Sequence, residues 1–244
     1  MIRHALRIAL LVVVCAAALE LVFALRIATM AFVDPRSTCY QRSEAWRLLQ
    51  APGRFDWSQR WVDAAQISDH LKRAVIASED AGFVDHPGFD RAAIEQAWER
   101  NRRALARAER LQQRDPDREV ALRLVGGSTI TQQLAKNLFL SGERSIARKA
   151  QELVLALLLE TLLTKGRILE IYLNSVEWGN GVFGAEAAAR RYFHVDAARL
   201  GVAQAARLAV MLPAPKRFET QPASPYVASR AATIAARMGA VRLP

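Results

Sequence analysis

The longest apolar run of the chain lies close to its N-terminus. Residues Ile8 to Leu25 are apolar apart from Glu20, and the apolar character continues beyond the next arginine. This length is enough to cross a bilayer as a helix, and Arg3 and Arg7 on its N-terminal side favour a cytoplasmic N-terminus. The pattern predicts a cytoplasmic tip and a single transmembrane anchor over residues 1–33. The remainder of the chain would then lie on the outer face of the cytoplasmic membrane.

A cleaved signal peptide is the alternative for the same run. It would end near the small residues Ala16, Ala17 and Ala18. The apolar residues continue well beyond the apolar core of a normal signal peptide, which has roughly 7–15 residues, so the sequence favours the anchor. Glu20 is then a costly residue, because a carboxylate at the centre of a bilayer costs ~2.5–3.5 kcal/mol on insertion scales.

Residues 34–55 differ from the run before them. They contain Pro35, Pro52 and Gly53, which disfavour long regular elements. We therefore predict a linker over residues 34–55 and a folded domain over residues 56–244.

Helical periodicity dominates the predicted domain. Leu71, Ala74 and Val75 share one face of a helix for which Ser68 is a good N-cap. No segment shows the sustained alternation with a period of two that is typical of strands. The sequence therefore predicts a mainly α domain without internal repeats. Further helical patterns cover residues 90–114, 130–138, 165–174, 186–193 and 202–212.

Another helix is predicted to start near Ser145. Arg148, Lys149 and Glu152 lie in its first turns, and the apolar run Leu153–Leu159 follows. Because this run is apolar on all faces and too short to span a bilayer, we expect the helix to be buried within the domain. The charged cluster at its start is then either a structural ion pair or a functional site, since charges seldom enter a core unpaired.

The stretch Gly126–Asn137 has the features of an anion-binding site. Its two glycines let consecutive backbone amides turn towards one point, and we expect Ser128 to cap the helix that follows. We expect Gln132, Gln133 and Lys136 to lie on the exposed side of that helix. A helix N-terminus with a nearby lysine suits a phosphate or diphosphate. From this motif alone, a capped helix with a solvated polar face is the alternative.

Glu79 is the first candidate for acid–base chemistry. It lies four residues after Val75 and eight after Leu71, so it shares the edge of an apolar helical stripe. A carboxylate at such an edge is partly desolvated, which is how general acids and bases are tuned. The same pattern fits a carboxylate in a structural ion pair near a helix end.

Composition limits the classes of partner. The chain has 244 residues and a formal net charge of +10, from 34 Lys+Arg against 24 Asp+Glu. This balance favours an anionic partner, either anionic lipid or a phosphorylated substrate, and no recognition helix or other nucleic-acid motif is present. The two cysteines and four histidines show neither a disulfide framework nor metal-ligand spacing, so we predict no protein-held metal.

Five ordered segments resemble the motifs of one family, the peptidoglycan glycosyltransferases (glycosyltransferase family 51). The segments are Glu79–Gly88, Gly126–Asn137, Arg148–Glu160, Lys165–Asn174 and Gly184–Phe193. No Ser-x-x-Lys or Lys-Thr-Gly sequence occurs, so the chain is similar to the monofunctional members, which lack a transpeptidase domain. The resemblance implies a mainly α, lysozyme-like domain with a membrane-associated lobe and one N-terminal transmembrane helix.

The resemblance also implies an activity. Members polymerise lipid II, the lipid-linked GlcNAc-MurNAc-pentapeptide, into β-1,4 glycan by inverting transfer, with release of undecaprenyl diphosphate. Moenomycin, a phosphoglycolipid, inhibits the family. The implied partners are lipid II, the growing lipid-linked glycan, the membrane and cell-wall synthesis proteins, with no nucleic acid. No tightly bound cofactor is implied, although the diphosphate leaves room for a divalent cation, Mg²⁺ or Mn²⁺.

Residue roles follow from the same resemblance. Glu79 falls on the family's general base, and Glu152 falls on its second important glutamate. The diphosphate site falls on Ser128, Gln133, Lys136, Arg144, Arg148 and Lys149. One departure concerns the residue before the two glycines, where many members carry arginine and this chain has Val125. The arginine-rich segment 100–123 is also longer than is usual in the family.

Two other functions stay open at this level. A lysozyme-like or lytic enzyme would cleave glycan with one glutamate and would not need Lys136, Arg144 and Lys149. A membrane-anchored scaffold would bind anionic lipid through its arginines and would show no turnover.

Overall fold

A computed structural model describes residues 2–53, 55–114, 126–143 and 145–244, and almost all of its regular structure is helical. The helices are α1 (Ile2–Thr29), α2 (Cys39–Gln50), α3 (Asp69–Glu79), α4 (Arg91–Arg114), α5 (Ile130–Phe139), α6 (Ile146–Leu162), α7 (Lys165–Ser175), α8 (Ala185–Phe193), α9 (Val202–Met211), α10 (Pro215–Glu219) and α11 (Pro225–Arg237). The strands are β1 (Ser58–Gln59), β2 (Glu177–Gly179) and β3 (Val182–Phe183). The predicted mainly α fold is confirmed.

Two helices form the framework of the core. Helix α3 packs against α9 and α11, and α5 packs against α6 and α7. The apolar residues Leu71, Val75, Leu134 and Leu138 are fully buried, as their helical spacing predicts. The side chains that α3 and α5 present outside the core are therefore held on rigid elements.

Helix α5 begins one residue later than the sequence suggests. The predicted cap was Ser128, but Thr129 is the N-cap: its hydroxyl accepts from the Gln132 amide at 3.2 Å, and the Gln132 side chain accepts from the Thr129 amide at 3.3 Å. This reciprocal capping box buries Gln132, which was expected on the exposed side. Its consequence is that Ser128 is left outside the helix, with a side chain that can face the site.

Residues 34–55 contain a packed helix, which differs from the loosely packed linker that the prolines suggest. Thr38 and Gln41 form a capping box at the start of α2. The side-chain amide of Gln41 donates to the Ser175 carbonyl at 3.3 Å, and Leu48 is buried. Helix α2 therefore belongs structurally with the helices of the domain that follows it.

The structure contains a three-stranded sheet that the sequence pattern does not predict. Strand β3 lies in the middle, parallel to β1 and antiparallel to β2. Gly181 turns the β2–β3 hairpin with φ 74°, and a β-carbon there would lie 2.1 Å from the Asp56 carbonyl oxygen. Strands of two or three residues are too short for a period of two to be visible, which explains the omission.

Helix α6 is buried on one side only, so the expectation of burial on all faces is wrong. Leu155 and Leu159 are fully buried, whereas Leu153, Val154 and Leu157 are 40%, 41% and 41% exposed. The reason is that α5 and α1 cover only part of its circumference. An exposed apolar face of this size on a protein with a predicted anchor is suited to contact with lipid.

Helix α1 contains one candidate membrane span, Arg3–Thr29, of 27 residues. Its C-terminal part packs on the domain through Ile27, which is fully buried, and through an edge-on contact of Phe23 with Phe139 at 5.3 Å between ring centroids. Glu20 accepts a hydrogen bond of 2.6 Å from the side-chain amide of Gln151 on α6. The costly carboxylate of the apolar run is therefore paired with a side chain of the domain.

Candidate active site

Glu79 is the last residue of α3 and is partly buried. Its Oε2 accepts from Gln133 Nε2 at 3.0 Å and its Oε1 accepts from the Ser78 hydroxyl at 3.3 Å. Desolvation raises the pKa of Glu79 above its ordinary value, while these two hydrogen bonds and the positive charge of Arg230 oppose the rise. A carboxyl with a raised pKa is suited to general-base work near neutral pH.

Gln133 orients this carboxylate. Its Oε1 accepts from the Tyr172 hydroxyl at 2.9 Å, and burial raises the pKa of Tyr172 well above its ordinary value, so that hydroxyl keeps its proton. With Oε1 occupied in this way, the amide presents Nε2 to Glu79. Gln133 was expected to line the diphosphate site, but the structure places its amide between Glu79 and Tyr172.

The turn after α3 is fixed to the start of α5. The two oxygens of Asp80 accept from the Ile130 amide at 3.0 Å and contact His86 Nε2 at 2.8 Å. The Thr129 hydroxyl donates to the Gly88 carbonyl at 2.7 Å. Because both ends of the turn are held by α5, Glu79 and the helix N-terminus at Thr129 keep a constant separation.

A second set of contacts ties the same turn to α6 and α7. Lys165 Nζ donates to the His86 carbonyl at 2.7 Å and to Glu160 Oε1 at 2.8 Å. Gly88 has φ 86°, and a β-carbon there would lie 2.8 Å from Glu160 Cγ. The ion pair of Lys165 with Glu160 is therefore structural, and Gly88 is required for its close approach.

Three cationic side chains gather around Glu152 at the start of α6. Arg148 Nη1 donates to Glu152 Oε2 at 2.9 Å, and Lys149 Nζ donates to Glu152 Oε1. Lys136, on α5, faces the same group: partial desolvation and the charges of Arg148 and Lys149 lower its pKa, and Glu152 opposes this. One buried carboxylate among three cations leaves a local positive excess that suits a diphosphate.

Ser128 joins this cationic group to the glycine motif. Its hydroxyl lies 3.2 Å from Lys149 Nζ, which donates to it. Gly126 and Gly127 precede it in an irregular backbone without side chains. The structure thus brings together Ser128, Lys136, Arg148 and Lys149, whereas Arg144 lies outside the described residues, as does Val125.

Two cavities lie on either side of the first turns of α4. One, of about 380 Å³, is lined by Glu79, Ala97, Gly127 and Arg230 among others. The other, of about 300 Å³, is lined by Trp98, Gln132 and Lys149, and it shares Ala97, Gly127 and Ser128 with the first. A β-carbon on Gly127 would lie 3.2 Å from Ile94 Cα, so α4 rests directly on the glycine motif. Glu79 and Lys149 therefore line neighbouring cavities.

Several supporting residues were not singled out from the sequence. Asp80 and His86 hold the turn after Glu79, and Tyr172 holds Gln133. Their only sequence signal is membership of the same short segments as the candidates. Arg230 has no such signal, because its helix follows the last of the five segments.

The described side chains do not fit a metal held by the protein. Both oxygens of Glu152 accept from cations. Within the described ranges, no group of three or more His, Cys, Asp or Glu side chains could hold an ion. We therefore derive no chemical step through a metal.

Comparisons with known proteins identify the family of this chain. A family model described as Transglycosylase matches residues 48–239. The chain is 54% identical over 219 residues to a biosynthetic peptidoglycan transglycosylase of Paraburkholderia xenovorans, covering 90% of this chain and 85% of that protein. It is 54% identical over 228 residues to the protein of the same name from Burkholderia thailandensis, covering 93% and 82% respectively. The chain therefore belongs to the transglycosylase family of peptidoglycan glycosyltransferases.

Proposed function

We propose that this chain polymerises lipid II into β-1,4 glycan strands in cell-wall synthesis, by inverting glycosyl transfer with release of undecaprenyl diphosphate. The observation that carries the proposal is the combination of a partly buried carboxylate, Glu79, with a separate cationic group on the other side of the glycine motif. A base and a separate diphosphate site are what a transferase with a lipid diphosphate leaving group needs.

The base acts on the acceptor. Glu79 removes the proton from the 4-hydroxyl of the acceptor sugar as that oxygen attacks C1 of the donor. The new bond joins O4 to C1, and the bond from C1 to the phosphate oxygen breaks on the opposite face. The diphosphate leaves with the electron pair, and the proton stays on Glu79 until solvent removes it. The raised pKa of Glu79 gives the carboxylate enough basicity to share that proton in the transition state.

The cationic group acts on the donor. Charge develops on the leaving diphosphate, and Lys136, Arg148 and Lys149 lie where they can stabilise it. Glu152 is bonded to two of these cations and so cannot serve as a free base. We assign Glu152 to orienting Arg148 and Lys149. Any divalent ion, Mg²⁺ or Mn²⁺, would have to be held mainly by the diphosphate oxygens.

The membrane arrangement belongs to the same proposal. Helix α1 supplies a single-pass anchor in the inner membrane, and the catalytic domain lies on the periplasmic face, where the polymer is needed. The apolar face of α6 rests on the bilayer beside it. Lipid II and the growing lipid-linked glycan are the substrates, and other cell-wall synthesis proteins are the expected protein partners.

One assay tests the activity against its alternatives. The detergent-solubilised protein is incubated with purified labelled lipid II, and the product is then digested with lysozyme. Polymer that lysozyme degrades supports the proposal. Cleavage of added glycan without polymer would indicate a lytic enzyme, and the absence of both with an active control enzyme would indicate a scaffold.

A further inference from the structure

The cavity next to Glu79 has a cationic wall that the proposed chemistry does not use. Arg230 and Arg237 line it from α11, and Arg100 lines it from α4. The two arginines of α11 are seven residues apart, so they lie on the same face of that helix, two turns from each other. Three arginines from two separate helices therefore line one cavity of about 380 Å³.

The positive charges of Arg230 and Arg237 are not neutralised by ion pairs with neighbouring carboxylates. Over the part of the chain that the structure describes, neither Arg230 nor Arg237 has a carboxylate within ion-pair distance. Arg100 donates to the neutral side chain of Gln96 at 3.1 Å. Other arginines of the domain, such as Arg148 and Arg167, are paired with glutamates. An exposed guanidinium has a planar fork of donors that matches a carboxylate or phosphate ligand.

This wall is distinct from the cationic group around Glu152. Lys149 lines the other cavity, on the far side of the contact between α4 and Gly127. The positive charge of Arg230, by contrast, acts on Glu79 itself. The site therefore has two separate cationic surfaces, and Glu79 lines the same cavity as the arginines.

A reaction between two lipid diphosphates needs two such surfaces. The donor loses its diphosphate at the group around Glu152, but the acceptor keeps its own diphosphate and its peptide carboxylates throughout the step. If both substrates depended on one cationic group, their anionic parts would compete for it. The acceptor is the substrate whose hydroxyl must reach Glu79, and its cavity is the one that the arginines line.

We propose that Arg230 and Arg237, with Arg100 opposite them, bind an anionic group of the acceptor lipid and so present its 4-hydroxyl to Glu79. This inference rests on the proposed polymerase function and deepens it. The ligand chemistry is a phosphate or carboxylate group of the acceptor, which has two sources, the diphosphate and the stem peptide. The arginines are binding and positioning residues and take no part in proton transfer.

The test separates acceptor binding from donor binding. The donor is a lipid II analogue whose terminal 4-hydroxyl is epimerised, so that it cannot accept. The acceptor is an analogue with carbon in place of the oxygen that joins sugar to phosphate, so that it cannot donate. Initial rates are measured against acceptor concentration for Arg230→Ala, Arg237→Ala and the double variant. Arg199→Ala is the matched control, because Arg199 is 78% exposed and lies outside the cavity.

We expect each single variant to raise the KM for the acceptor by about tenfold, which corresponds to one charge-assisted contact. The affinity for moenomycin, a phosphoglycolipid expected at the donor site, should stay as in the wild type and shows that the fold is intact. Repeating the series with a peptide-free acceptor identifies the source: an undiminished effect indicates the diphosphate, and a lost effect indicates the peptide carboxylates.

An unchanged acceptor KM in the double variant would overturn the inference, as would an equal loss of moenomycin affinity. Failure of the polymerase proposal looks different, because the wild-type protein would then make no polymer at all.

Discussion

Gln133 donates to Glu79 at 3.0 Å through an amide that Tyr172 holds from its other side at 2.9 Å. The three side chains come from α3, α5 and α7, so the position of the carboxylate depends on the packing of three helices. The bond from Gln133 stabilises the ionised form of Glu79, while desolvation favours the neutral form. The pKa of the candidate base is thus set by two opposed effects, each of which can be altered separately.

Replacing Glu79 by glutamine should remove turnover and preserve binding. Loss of a general base typically lowers the rate by ~10²–10⁴-fold, and Glu79→Gln keeps the shape of the side chain. We expect moenomycin affinity and thermal stability close to those of the wild type, measured by binding and by circular dichroism. Glu152→Gln is the companion variant. It should weaken moenomycin binding, because Arg148 and Lys149 lose the carboxylate that orients them. Near-normal polymerisation by Glu79→Gln with an inactive Glu152→Gln would show that the two roles are reversed.

The pH dependence of the reaction should depend on the hydrogen bond that Gln133 donates to Glu79. Glu79 must be ionised to act, so activity rises with pH through its pKa, which already lies above the ordinary glutamate value. Gln133→Met removes the hydrogen bond that lowers this pKa, so the rise in kcat/KM should move to higher pH. Tyr172→Phe should move it in the same direction by less, since Gln133 itself remains. If kcat/KM of Gln133→Met rises at the same pH as that of the wild type, the hydrogen bond from Gln133 does not set the pKa of Glu79.

Lys136 should contribute to donor binding. Lys136→Ala removes one charge-assisted contact, and we expect moenomycin affinity to fall by about 10- to 100-fold. Lys72→Ala is a suitable control, because Lys72 pairs with the exposed Asp69 away from both cavities. Unchanged moenomycin affinity in Lys136→Ala, with an intact circular dichroism spectrum, would place the diphosphate elsewhere.

Donor binding at alkaline pH should also depend on the charge of Lys136. Desolvation lowers its pKa, so its charge is present below that pKa and is lost at a lower pH than for an ordinary lysine. Moenomycin affinity should therefore decline as the pH rises through this value. Lys136→Arg keeps its charge and should remove the decline. A decline of the same size in Lys136→Arg would assign it to another group.

The hydrogen bond between Glu20 and Gln151 should couple the anchor to the domain. In a double-mutant cycle of Glu20→Leu and Gln151→Leu, thermal stability in detergent should show a coupling of ~0.6–1.7 kcal/mol, as for polar contacts between membrane helices. Glu20→Gln retains a hydrogen-bond acceptor and should behave like the wild type. Strictly additive single effects would mean that the contact at 2.6 Å contributes nothing.

The apolar run at the N-terminus should remain in the mature protein. The apolar run is longer than the apolar core of a signal peptide, and it forms one unbroken helix, Ile2–Thr29, with the part that packs on the domain through Phe23 and Ile27. The intact mass of protein extracted from membranes measures this directly. A mature chain that begins near residue 19 would identify the run as a cleaved signal peptide.

Several helices, and the position of Glu79 beside a buried helical face, were predictable because they rest on local patterns. The spacing of Leu71, Val75 and Glu79 identifies both the buried face of α3 and the partly desolvated carboxylate beside it. The caps at Ser68 and Ser145 are likewise local, since one hydroxyl satisfies an amide two or three residues later.

Features that depend on tertiary contacts were not predictable. Thr129 and Ser128 are both good caps, and the choice between them follows from the Gln132 side chain and from the bond of Thr129 to Gly88. The exposed side of α6 depends on which helices pack against it, which an apolar run does not reveal. Arg230 reaches the cavity only because α11 packs on α3.

Leu153, Val154 and Leu157 form an exposed apolar face on α6 next to α1. Under the proposed function, this helix carries two of the diphosphate-binding cations at the surface of the bilayer. A lipid-linked donor and acceptor diffuse within the same two-dimensional sheet as the enzyme. The encounter rate then depends on the number of substrate molecules per unit area of membrane. Diluting a suspension of such membranes with buffer should leave the polymerisation rate per enzyme unchanged, whereas adding inert lipid to the bilayer should lower it.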